Sequence, residues 1–359
     1  MNPACLSWLR YSLALRPSSP SPFRTFSTTC NLRTSTSTAR DKQAVTLPDG
    51  RVLSYAEYGP TTGYPVFFFH GYPSSRLEAG PIAHLAARQD VRLIAPDRPG
   101  FGLSTFQPGR KITSWPADVS FLASHLGLVR FAILGGSGGG PYALACAQAL
   151  PHTQMSAVGV LAGAPPWEAG TKEVLWYSRL AAVAANYAPG ALTVVAEAAV
   201  RGLRWAVEME WVRRRLERWL EAVEKEEEQR KKKKGGLMEE REREKTTEKD
   251  ERQSLKAESR CDRLLPLLFE PFAQGAAASV QEAKLLTQSW GFRFEDVKYD
   301  RIQIWHGTRD VNAPIGMIRW MAARLPHCEL RESDHTHFTL VDQLEEILAQ
   351  LVPDETAKV

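Results

Sequence analysis

From residue 43 onward, short apolar runs alternate with amphipathic stretches. Pro65 to His70, Val91 to Pro96, Phe131 to Leu134, Ala157 to Leu161 and Ile302 to Trp305 are nearly continuous hydrophobic runs, as in parallel strands buried on both faces. Leu330 is expected to lie in the last such strand. Helical periodicity separates them around Ile82 to Ala87, Ala117 to Leu128, Pro141 to Leu150, Ile315 to Leu325 and Gln343 to Leu351. Ala44 to Leu47 and Arg51 to Tyr58 flank Pro48-Asp49-Gly50, which predicts an antiparallel hairpin turning at Asp-Gly. Strands and helices in alternation predict a mostly parallel, doubly wound α/β sheet.

Between about Pro165 and Gly291 the strand signals stop, and a helix-rich region containing several tryptophans takes their place. Its best-patterned helix sets Val212, Leu216, Trp219, Leu220 and Val223 opposite Arg213, Arg214, Glu217 and Arg218. Such a face packs on the sheet domain or roofs a pocket; lying on a membrane surface is the sharper alternative. From residue 221 to 260 the chain is dense in Glu, Lys and Arg, with too little apolar material to offset the entropy of ordering. That predicts a solvated helix or disorder, and the interleaved glutamates cancel the field of Lys231 to Lys234. The domain reading is therefore a targeting or disordered segment over 1–42, an α/β core over 43–168 and 288–359, and a helical cap over 169–287 that contains the charged insertion 221–260.

At 359 residues and 43% hydrophobic content, the chain can bury a large core. No stretch approaches the roughly 20 apolar residues of a membrane-spanning helix. The formal charge of +4 is uneven: Arg10, Arg16, Arg24, Arg33 and Arg40 precede the first acid, and without them the rest carries a net of −1. The body thus has no nucleic-acid footprint. The acid-free, Arg- and Ser/Thr-rich opening has the composition of a mitochondrial presequence, and Arg24-Thr25-Phe26-Ser27 resembles a matrix-peptidase processing site. Matrix localisation is the expectation, with an untargeted tail on a cytoplasmic protein as the alternative. Cys5, Cys30, Cys146, Cys261 and Cys328 are odd in number and widely spaced, which predicts reduced thiols, no disulfide framework and no structural zinc.

The strongest chemical signal is Gly135-Gly136-Ser137-Gly138-Gly139-Gly140, set between a predicted strand and a predicted helix. It fits G-x-S-x-G, in which a sharp turn lifts a serine hydroxyl out of the sheet at a helix N-terminus. A phosphate-cradling loop is the alternative, but no Lys-Ser/Thr pair follows and the spacing is not G-x-G-x-x-G. A serine hydroxyl needs a base. His337 follows the last strand signal, where a loop can carry an imidazole over the turn; His335 is its rival. His84, His125, His152 and His327 fall on helices or their ends and read as structural. Asp310, in Gly307-Thr308-Arg309-Asp310, follows a buried strand and is the candidate for orienting the base, with Asp334 and Glu168 as alternatives. At Phe69-His70-Gly71-Tyr72-Pro73, a turn at Gly71 would aim the Tyr72 amide at Ser137, giving an oxyanion donor beside the amide of Gly138. His70 reads as structural. In Asp97-Arg98-Pro99-Gly100, an Asp97–Arg98 ion pair would pin a loop at the rim.

Together these motifs resemble the α/β-hydrolase superfamily in its capped AB hydrolase-1 branch. His70 to Pro73 is similar to that family's HGxP, Asp97 to Ser104 to its DRPGxGxS, Gly135 to Gly139 to its elbow, Gly307 to Asp310 to its GxxD, and His337-Phe338 to its final histidine motif. The resemblance covers roughly 43–168 and 288–352. It implies the α/β-hydrolase fold with an inserted helical cap, and a Ser137–His337–Asp310 triad that cleaves an ester-like bond without metal or organic cofactor. The apolar, tryptophan-rich cap suggests a pocket for a small or medium-sized hydrophobic ester, thioester or lipid-like substrate; a proline-iminopeptidase-like amidase and a non-catalytic ligand-binding member are the alternatives. Serine at 137 rather than aspartate argues against the epoxide-hydrolase and dehalogenase branches. Many relatives carry a bulky residue after the nucleophile, so Gly138-Gly139-Gly140 is a departure that predicts open access near the acyl site.

Overall fold

Eight strands carry the fold: β1 (Gln43–Thr46), β2 (Val52–Tyr58), β3 (Tyr64–Phe69), β4 (Val91–Pro96), β5 (Phe131–Gly136), β6 (Met155–Leu161), β7 (Ile302–Gly307) and β8 (Cys328–Ser333). They are seen in a computed structural model that describes residues 40–234 and 259–353. The presequence-like segment 1–39 and the stretch 235–258 of the charged insertion lie outside the described residues.

The strands form one sheet in the order β1-β2-β4-β3-β5-β6-β7-β8. The hairpin forms as its turn chemistry predicts: β1 runs antiparallel to β2 with Thr46 opposite Val52, and Gly50 takes φ +84°. β2 is also antiparallel to β4, and from β4 to β8 every pairing is parallel. The central strands are apolar because both of their faces are covered. Phe67, Phe69, Ile94 and Ile133 face one core, and Val66, Leu93, Ala132 and Leu134 face the other. Burying a side chain of this size stabilises the fold by roughly 1.5–3 kcal/mol.

Helices α1 (Ala83–Arg88), α2 (Trp115–His125) and α3 (Gly140–Ala149) lie in the successive connections from β3 to β6. α3 is buried almost all round, and Cys146 within it is a free, fully buried thiol. Between β6 and β7 the described chain contains no strand. It forms α4 (Trp176–Tyr187), α5 (Pro189–Glu208), α6 (Glu210–Lys234), α7 (Arg260–Phe269) and α8 (Ala277–Leu286). Helices α9 (Ile315–Ala322) and α10 (Leu344–Leu351) complete the chain.

Two expectations for the cap are corrected. The apolar face of α6 meets neither the sheet nor a pocket: Leu216, Trp219 and Leu220 pack on Cys261, Leu264 and Leu265 of α7. Ser259 caps α7 through the amide of Asp262, and Glu217 accepts from the amides of Arg260 and Cys261, which locks the two helices together. Trp176, Trp205 and Trp211 do not line an interior either, being 64–69% exposed.

Candidate active site

The first element is the turn that leaves β5. Ser137 sits there at φ +47°, a left-handed conformation that costs a non-glycine residue energy and persists only when its surroundings impose it. Glycines at 135 and 139 are required by the turn's close contacts. A β-carbon on Gly139 would lie 2.2 Å from the Phe69 carbonyl oxygen, and one on Gly135 would lie 2.5 Å from that of Gly139. The Ser137 carbonyl accepts from the Ala164 amide at 2.8 Å, which ties the turn to the end of β6.

The loops after β7 and β8 bring up the other two groups. His337 Nε2 lies 3.0 Å from Ser137 Oγ, and His337 Nδ1 lies 2.7 Å from Asp310 Oδ2. The second oxygen of Asp310 accepts from the amides of Asn312 and Ala313 at 2.8 and 2.9 Å. An ionised carboxylate only accepts, so Nδ1 carries the imidazole hydrogen and Nε2 presents its lone pair to the serine hydroxyl. Asp310 is buried and His337 retains 13% side-chain exposure, so the imidazole is the more solvent-accessible of the two.

The two loops are joined before they reach the serine. A β-carbon on Gly307 would fall 2.2 Å from the His335 carbonyl, so the histidine loop lies directly across the end of β7. Thr308 and Arg309 donate amides to Ser333 and His335 at 2.9 and 3.0 Å. Beneath them His306, fully buried, pairs Nε2 with the Ala313 carbonyl at 2.8 Å. Burial lowers the His306 pKa despite the nearby Asp310, keeping the ring neutral.

The alternatives are placed elsewhere. His335 turns toward Thr339 Oγ1 at 3.3 Å, Asp334 is exposed and pairs with Arg309 at 2.9 Å, and Glu168 is exposed in the turn after β6. Tyr72 and Gly138 are brought together: a β-carbon on Gly138 would lie 3.2 Å from the Tyr72 nitrogen and 2.7 Å from its β-carbon. The triple glycine therefore does not leave open space beside the serine, because Tyr72 fills it. The Tyr72 hydroxyl donates to the Ser279 carbonyl of α8 at 2.9 Å, joining this turn to the cap.

The expected Asp97–Arg98 pair does not form. Asp97 pairs with Arg76 at 2.8 Å and accepts from Ser54 Oγ at 2.7 Å. Arg98 donates from Nη2 to the Gly71 carbonyl at 2.8 Å and from Nη1 to that of His70. His70 is structural: its Nε2 accepts from the Arg98 amide at 3.2 Å and its Nδ1 donates to the Gly71 carbonyl at 2.9 Å. Burial and the Arg98 charge hold its pKa far below the imidazole range.

Two acids carried no sequence signal. Glu282 of α8 is fully buried, 3.0 Å from Arg98 Nε, paired with Arg110, and accepting from the Tyr142 hydroxyl at 2.7 Å. Burial acts to raise its pKa, but Arg110 and Arg98 outweigh it and the net direction is down. Glu78 accepts the Gly71 amide at 2.8 Å. A β-carbon on Gly71 would touch both Glu78 oxygens and Ser137 Cβ, each at 3.4 Å, so a carboxyl group and the serine flank the same turn. Desolvation raises the Glu78 pKa, against the lowering by Ser74, Gly71, Arg98 and His337. Among the described residues no cluster of three or more His, Cys, Asp or Glu is arranged to hold a metal.

Residues 64–344 match the family described as alpha/beta hydrolase fold. The non-heme chloroperoxidase of Streptomyces lividans is 36% identical over 125 residues, which is 34% of this chain and 45% of that protein. A bifunctional esterase/perhydrolase of Acinetobacter calcoaceticus is 27% identical over 123 residues, again 34% of this chain and 45% of the relative. The chain thus matches less than half the length of these curated relatives. Among solved structures, a hydrolase from Pseudomonas aeruginosa has a TM-score of 0.53 at 15% identity, covering 86% of this chain and 97% of its own. The enol-lactonase from Burkholderia xenovorans has a TM-score of 0.53 at 14% identity, covering 86% and 98%. At such identities the structural likeness is one of fold. The family match spans the elbow, the cap and both downstream loops, and the chain belongs to the alpha/beta hydrolase fold family.

Proposed function

We propose that the protein is a serine hydrolase that cleaves a carboxylic ester, or a thioester or lipid-like ester, through an acyl-enzyme on Ser137. The observation that carries this reading is the unbroken chain from Ser137 Oγ to His337 Nε2 and from His337 Nδ1 to Asp310. His337 takes the hydroxyl proton as Ser137 attacks the carbonyl carbon, and Asp310 stabilises the imidazolium. The amides of Tyr72 and Gly138 receive the oxyanion. His337 then protonates the departing alkoxide, and the alcohol leaves. In the second half His337 deprotonates water, the hydroxide attacks the acyl carbon, and the proton returns to Ser137 as the acid is released.

One curated relative is named a bifunctional esterase/perhydrolase, which joins ester cleavage to a second acyl acceptor. Hydrogen peroxide in place of water would convert the acyl-enzyme into a peracid and free serine.

A fluorophosphonate probe tests the reading directly. Labelling at Ser137 that is lost in Ser137→Ala, with turnover of p-nitrophenyl esters, is the expected result. Turnover of p-nitroanilides in preference to esters would replace it with an amidase. Ligand binding without labelling would replace it with a non-catalytic member of the fold. For residues 1–42 we propose mitochondrial targeting; a reporter fusion of this segment that stays in the cytosol would refute it.

A further inference from the structure

α4 and α5 each present a continuous apolar stripe to solvent. On α4, Trp176, Leu180, Val183 and Tyr187 follow one another at i, i+4, i+7 and i+11, and each is more than half exposed. Ala182 and Ala185, on the other side of the helix, are buried. On α5, Val194, Val195 and Trp205 share one face with the exposed Ala191, Ala198 and Gly202, and the three larger side chains are again more than half exposed. Single exposed apolar residues are ordinary, but two aligned helical stripes of valine, leucine and aromatic side chains are not.

The exposed charges of these two helices are mostly positive. On α4 and α5 the exposed charged residues are Arg179, Arg201 and Arg204 against Glu208. Aromatic and aliphatic side chains bordered by arginine match the interface of a bilayer containing anionic lipids. Apolar groups enter the acyl boundary there, and guanidinium groups meet the headgroup phosphates. A second copy of the chain fits less well, since a two-fold contact through this face would set the same arginines against one another.

We infer that the outer face of α4 and α5 docks on an anionic lipid surface, holding the protein in the plane of the membrane without crossing it. Among the described residues no helix is long and apolar enough to span a bilayer, which agrees with surface attachment. The helix whose pattern first suggested a lipid contact, α6, spends its apolar face on α7 instead.

The test is sedimentation of the full-length chain with vesicles of mixed phosphatidylcholine and phosphatidylglycerol, beside vesicles of phosphatidylcholine alone. Leu180→Gln with Tyr187→Gln, and Val195→Gln with Trp205→Gln, are compared with the parent. Arg10, Arg16, Arg24 and Arg33 are kept in every sample, so their contribution is constant. The parent is expected to bind the anionic vesicles, more weakly at high salt, and each double variant to bind at least about tenfold more weakly. Arg179→Gln with Arg201→Gln should weaken binding to anionic vesicles and leave the weaker binding to neutral ones unchanged. No vesicle binding by the parent, or binding unaltered in both glutamine double variants, overturns the proposal. A concentration-dependent dimer that the same variants dissolve, without vesicle binding, also overturns it and assigns the face to a second copy. Turnover of a short soluble ester is read on each sample, so loss of docking and loss of ester chemistry are separate results.

Discussion

Arg98 Nη2 donates to the Gly71 carbonyl at 2.8 Å, and this contact fixes which way the next amide points. A trans peptide is planar, so drawing the Gly71 oxygen toward Arg98 directs the Tyr72 N–H to the opposite side, where Gly138 lies. Arg98 is thereby a positioning residue for the proposed oxyanion site. Lysine at this position keeps the charge but cannot span two carbonyls and Glu282 at once. Arg98→Lys is expected to lower kcat for a p-nitrophenyl ester by roughly 10- to 100-fold, at the lower end of what losing an oxyanion donor costs. KM should stay near the parent value. Titrating folded sites with a fluorophosphonate separates this from simple unfolding, and an unchanged kcat would show that the turn holds itself.

Glu78 gives a pH prediction whose sign follows from its surroundings. Desolvation raises its pKa, so it keeps its proton to higher pH than an ordinary carboxyl. It bonds the amide adjoining the proposed oxyanion donor, and a negative charge there opposes the charge developing on the substrate. The rate should therefore fall as pH rises through the Glu78 titration. Glu78→Gln keeps an acceptor for the Gly71 amide and removes that descending limb. Stability runs the same way: a carboxyl raised on folding contributes fully below its unfolded pKa and loses that contribution as pH rises through the folded one. The variant should melt higher than the parent at pH 8 and equally at pH 4. Identical pH–rate profiles for the two proteins would refute the assignment.

How much of this was legible in the sequence depends on what each residue contacts. Ser137, Asp310 and His337 stand in motifs because local backbone geometry, a tight turn or a strand-end loop, dictates the residues around them. The strands were readable because both faces of a central strand are buried, so Phe67, Ile94 and Ile133 announce it one by one. Glu282 and Glu78 had no such signal. Glu282 meets Arg110 across 172 residues, and nothing in its helix distinguishes it from a surface glutamate. The same holds for Arg98, whose adjacent aspartate suggested a pair that the fold divides between Arg76 and Glu282. The α6 stripe was recognised as apolar, but periodicity names a face and not its partner, which proved to be α7.

Gly307 bears on the proposed triad without touching it. A methyl group there would stand 2.2 Å from the His335 carbonyl, which backbone cannot tolerate, so the loop carrying His337 must move outward. Gly307→Ala should leave the sheet intact, because the clash lies at the end of β7. Displacement of the imidazole by about 1 Å is enough to lower kcat by about 100-fold. Near-parent far-ultraviolet circular dichroism together with that loss is the expected pair of results. Full activity would mean that the loop has slack.

Glu282 links cap and core through two buried ion pairs and a hydrogen bond from the Tyr142 hydroxyl. Its carboxylate lies between Arg98 and Arg110 with no water-exposed surface, so removing it leaves two buried guanidinium groups short of a counter-ion. Breaking a buried pair from one side costs about 3–5 kcal/mol, and Glu282→Ala should lose that much in denaturant unfolding. Glu282→Gln, which can still accept from the Tyr142 hydroxyl, should lose less. The pH dependence discriminates further. A carboxylate whose pKa is lowered on folding contributes stability above its unfolded value that disappears as pH falls through the folded one. The parent should accordingly lose stability on acidification more steeply than Glu282→Gln, and the two curves should converge at low pH. Parallel curves would place the stabilising interaction in packing rather than in the ion pair.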